Sequence, residues 1–160
     1  MSIHALEKLR FTQGLPPVAD YGAAGVSSDV VDMSGHNKAI FVIHKGAGAT
    51  GTGVLTIEAC DDVVPTNTTA VPYRYRETDG TDILGTLTEA AAAGFTVTAG
   101  ANTIVVVEVD AIEVRKAGAT FEFVRLTMTE STDSPVLAGI LVILAEPRYS
   151  EVDAGATVLA

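Results

Sequence analysis

His4, His36 and His44 are the only imidazoles in the chain, and acid–base or metal chemistry near neutral pH would begin with them. His36 follows Gly35 in a turn, and His44 ends an apolar run beside Lys45. Neither has a carboxylate, thiol or second histidine at a spacing that builds a catalytic or ligating set. Asp61-Asp62, and Asp79 and Asp82 around Gly80, are oxygen pairs of the kind that collect calcium. EF-hand spacing is absent, however, and Asp and Gly equally serve turns. Gly46, Gly48, Gly51 and Gly53 are followed neither by a helix that would aim amides at a phosphate nor by Gly-Lys-Ser/Thr. They read as a mobile connection between strands. Cys60 adjoins Asp61 and Asp62, whose charges raise a thiol pKa, so it reads as a passive strand-end thiol. No catalytic constellation assembles, no cofactor is implied, and the expectation is a protein that is not an enzyme.

One unusual pattern remains, Tyr73-Arg74-Tyr75-Arg76. In a strand it sends two tyrosines to one face and two arginines to the other. Tyr and Arg are the residues that interfaces favour, so one reading is a protein-contact stripe. The other is a sheet with tyrosine inside and arginine solvated.

The elements that must hold these residues are strands. The 160-residue chain contains twenty Val, nineteen Thr and fifteen Gly, the chemistry of strands and turns. At 48% hydrophobic it has ample material for a core. Ten Lys+Arg against twenty Asp+Glu leave a net charge of −10. That balance opposes gripping nucleic acid by phosphate neutralisation or docking on an anionic membrane. The absence of Trp argues against a sugar site of stacked indoles. One cysteine rules out an intrachain disulfide framework. The N-terminus is charged, without a long apolar stretch, and the longest apolar run, Val136–Ala145, is about half of what a bilayer needs. The expectation is a soluble product of the cytoplasm.

Residues 1–28 read as an extended N-terminal arm. Leu6, Leu9, Phe11, Leu15, Val18 and Tyr21 make it too apolar for a solvated tail, while Gly14, Pro16 and Pro17 forbid one compact helix or a central strand. Its apolar residues are candidate contacts, and deleting residues 2–20 is expected to leave the rest folded. From Asp29 to Pro147 come short strands at roughly ten-residue spacing. Val30–Met33 is followed by Lys38–Lys45, apolar on both faces and therefore a central strand covered on both sides. Val54–Cys60 alternates, with Leu55, Ile57 and Ala59 inward. Asp61–Val71 reads as a polar loop and Ile83–Thr88 as a weak strand. Phe95–Thr98 is expected to pair with Thr103–Val109 across Ala99–Asn102. Phe121–Thr129 and Val136–Ala145 follow, then a tail over 148–160. Helix is confined to a turn or two near 5–11, 89–93 or 110–116. Period-two positions place Ile40, Val42, Leu55, Ile57, Val105, Val107, Val124, Leu126, Leu141 and Ile143 in the core. The fold class is all-β, an antiparallel β-sandwich or jelly-roll-like barrel in one domain.

The runs VSSDVVDMSGHNKAIFVIHKG, GTGVLTIEACDD, GANTIVVVEVDAIEV, FEFVRLTMTE and VLAGILVILAEPRY together resemble small β-sandwich structural proteins of tailed bacteriophages, whose genes lie near the major capsid gene. The resemblance spans residues 26 to 150 and rests on patterns of β-forming residues. It implies a virion protein of the head decoration (cement) type: a trimer on the capsid exterior that binds the major capsid protein and clamps neighbouring capsomers. The family has no catalytic residues to carry over. Alternatives are a tail, neck or head-fibre component, or a β-sandwich module that binds a host-surface glycan.

Overall fold

The doubly apolar segment around Phe41 becomes the middle of a sheet. The protein, described here by a computed structural model over residues 8–23, 26–78 and 82–148, places β3 (His36–Lys45) between β11 (Ala138–Pro147) and β9 (Ile104–Asp110). Beyond β11 lies β1 (Arg10–Val18), and beyond β9 lie β6 (Tyr73–Glu77) and β7 (Thr88–Ala90), completing a six-stranded antiparallel sheet. The second sheet orders β2 (Val31–Asp32), β10 (Phe123–Thr132), β4 (Thr52–Cys60) and β5 (Thr68–Val71), with β8 (Phe95–Thr96) paired to β4. A helix, α1 (Ala111–Ala117), joins β9 to β10 and buries Ala111 and Val114 against the core. The two sheets share one apolar core, which makes the fold an all-β sandwich. Among the described residues, no helix is long and apolar enough to cross a membrane.

The core draws on both inner faces. Phe41, Ile43, Leu55, Ile57, Val105, Val107, Val124, Leu126, Val142 and Leu144 are each at most 1% exposed. Six of the ten expected core positions hold, those on β4, β9 and β10. The four on β3 and β11 are reversed: Ile40, Val42 and Ile143 are half-buried and Leu141 is 42% exposed. Strict alternation identifies an inner face only when the other face is polar, and in these two strands both are apolar. A one-residue change of parity then moves every side chain across the sheet.

The N-terminal arm is likewise corrected. Arg10–Val18 is an edge strand of the larger sheet, in register with β11 from Arg10↔Leu144 to Val18↔Ala138 and interrupted twice by bulges. Pro16 and Pro17 lack backbone donors, and an edge strand with bulges is where a sheet accepts that. At Gly14 a Cβ would lie 2.8 Å from Cγ2 of Val142, so only glycine lets the strand approach this closely. Tyr21 is 2% exposed in the core, and its N–H donates to the Val136 carbonyl at 3.0 Å. Ser28 is stitched to β10, donating its N–H to the Leu126 carbonyl and accepting the Leu126 N–H at its hydroxyl. The packed domain therefore starts near Arg10 rather than Asp29.

Three smaller readings also change. Thr68–Val71, expected as loop, is β5, held by pairing with Ile57–Cys60. Phe95 and Thr96 pair with Leu55 and Val54 on the opposite sheet, not with residues 103–109. Glu89 and Ala90 end β7, and the turn after them closes at Gly94, whose φ of +82° suits glycine. The helix expected near 110–116 is α1.

Candidate functional site

The two outer faces of the sandwich differ in chemistry. On the smaller sheet the outward residues pair polar with polar. Thr56 and Thr127 share a hydrogen bond at 2.6 Å, Thr52 donates to Thr132 at 3.0 Å, and Arg125 meets Glu58 at 2.7 Å. That is the expected clothing of a sheet face turned to water.

The larger sheet shows the opposite. Its outward positions form three rows across four strands. One row runs Phe11–Ile143–Ile40–Glu108, the next Gln13–Leu141–Val42–Val106, and the third Gly139–His44–Ile104. Phe11 is 46% exposed and Leu141 42%, and Ile40, Val42, Ile143 and Val106 are half-buried. Among the described residues nothing of this chain covers them. Along the β1 side the face sinks into a groove of about 720 Å³ walled by Leu15, Pro16, Pro17, Leu137, Gly139 and Ile140. Pro17 packs over Gly139, where a Cβ would stand 3.2 Å from the proline Cγ.

Charged pairs lie at one end of β3 and β11 and along β9, β6 and β7. Lys38 lies 3.2 Å from Glu108 and 3.4 Å from Glu146, and its hydrogen bond to Glu108 raises its pKa. Arg74 lies 3.4 Å from Glu89 and 4.0 Å from Asp110. Glu108 ends the row that begins at Phe11, so these pairs close the apolar rows on the β9 side.

The residues singled out in the sequence divide between this face and the core. Of the Tyr-Arg stripe, Tyr73 and Tyr75 point inward: Tyr73 Oη donates to the Leu55 carbonyl at 2.5 Å, and Tyr75 stacks on Phe95 at 3.6 Å between centroids. Burial holds the Tyr73 hydroxyl well above its ordinary pKa. Arg74 and Arg76 are exposed on the outer face, so the strand is a sheet element with tyrosine inside and arginine solvated. Phe11 belongs to the apolar face, and Leu15 packs partly on the core. Leu9 is half-buried ahead of β1, and Tyr21 is a core residue, its hydroxyl pKa raised by burial. Leu6 and Asp79 lie outside the described residues.

Asp61 is occupied by its own loop. Its carboxylate accepts the Thr66 N–H and hydroxyl at 3.0 and 2.7 Å and the Asn67 side-chain amide at 2.8 Å. These bonds to the charged form hold the carboxyl far below the usual range. They also consume the oxygen lone pairs that a cation would need. Among the described residues no three His, Cys, Asp or Glu side chains converge as a metal site. His36 is 3% exposed, and burial lowers its pKa; His44 is exposed beside Gly139. Cys60 is fully buried, and burial pushes its thiol up to about 11, consistent with a passive role.

Sequence reasoning missed Ile40, Val42, Leu141 and Ile143 as surface residues. A usable signal existed: a strand apolar on both faces needs two covers, and one sandwich supplies a single one. No protein-family model, curated protein or solved structure matches this chain.

Proposed function

We propose that this chain is a structural protein of a tailed-bacteriophage virion, a head decoration protein that binds the major capsid protein on the capsid exterior and steadies contacts between capsomers. The observation that carries the reading is the uncovered apolar face of the six-stranded sheet, opposite an outer face dressed in polar pairs. A protein whose most developed surface feature is a contact face suits a role in assembly rather than catalysis.

The strand order adds support for a jelly-roll reading of the fold. The order β1-β11-β3-β9 facing β2-β10-β4-β5 follows the two four-stranded sheets of a double Greek key, with β6 to β8 inserted before β9. That architecture recurs in viral capsid domains, and in lectins. The resemblance in the strand runs points to the viral branch.

The test is cosedimentation of the purified chain with expanded empty capsids. Binding that saturates at a fixed ratio to the capsid subunits, and raises the temperature of capsid disruption, is the expected result. Failure to sediment with capsids, together with binding to host-surface glycans on an array, would replace this reading by the lectin one.

A further inference from the structure

We draw no further inference here: the strongest candidate, the apolar outer face of the six-stranded sheet with the groove walled by Leu15, Pro16, Pro17 and Leu137 along its β1 side, carries nothing beyond the surface already described, because nothing in the structure shows what covers it.

Discussion

The ammonium of Lys45 donates to the backbone carbonyl of Thr98 at 2.7 Å, from a side chain 2% exposed at the end of the sandwich. The same threonine is held from its other side. Glu77 accepts the Thr98 N–H and hydroxyl, each at 2.9 Å. A lysine and a glutamate are thus bridged through one residue, which ties β3, β6 and the segment after β8 together. Burial lowers the Lys45 pKa, against the opposing pull of Glu77.

Lys45→Met should keep the packing and lose only the bond to Thr98, a cost of about 1 kcal/mol. Lys45→Ala adds a cavity and should cost about 2–4 kcal/mol. The lysine also leaves a pH signature. Its folded pKa lies below 10.5, so between the two values the unfolded chain holds more protons, and stability rises with pH. Tyr21 and Tyr73, raised by burial, act with the opposite sign above pH 10. Urea midpoints of wild type and Lys45→Met, compared just below pH 10, isolate the lysine; parallel profiles would show that it contributes nothing.

The two faces of β3 and β11 should respond differently to truncation. Phe41→Ala removes a fully buried ring and should cost about 3–5 kcal/mol. Leu141→Ala, on the exposed face, should cost less than about 1 kcal/mol in the isolated chain. Denaturant unfolding measures both, and equal costs would place Leu141 inside after all.

The loop from Asp61 to Asn67 should resist acid. The Asp61 carboxyl is held below its ordinary 3.8 by the donors of Thr66 and Asn67. A depressed carboxyl contributes stability above the unfolded value and loses it as pH falls through the folded one. Exchange protection of the Thr66 and Asn67 amides should therefore persist down to about pH 4 and disappear only in stronger acid. Asp61→Ala should abolish that protection at every pH. Added calcium should leave the amide resonances of this loop unmoved.

Removing residues 2–18 should do more than shorten a tail. It strips β1 from β11 and takes away the packing of Leu15 and Val18 against the core. Two such side chains are worth on the order of several kcal/mol, and the bared edge of β11 invites pairing with other chains. Thermal unfolding and light scattering should show a lower melting temperature and aggregation. An unchanged melting temperature would return the segment to the status of an arm.

How much of this was legible depended on what each residue could tell its neighbours. Val54–Cys60 and Phe121–Thr129 could be read as strands, with the correct inner face, because Thr56, Glu58, Arg125 and Thr127 alternate with apolar residues and mark the outside. The helix near residues 110–116, one of three places the sequence allowed, was legible too, since it rests on residue types close in sequence. The inward face of β3 and β11 was not, because Ile40 and Phe41, or Leu141 and Val142, are equally willing to be buried. The partner of Phe95, the conversion of residues 10–18 from arm to edge strand, and the meeting of Lys45 with Glu77 through Thr98 join residues far apart in the chain. Only the closing of one sheet over the other decides such contacts, because burial is a property of the assembled layers and not of any one strand. That closure left one apolar face outside, and among the described residues none supplies a second layer for it.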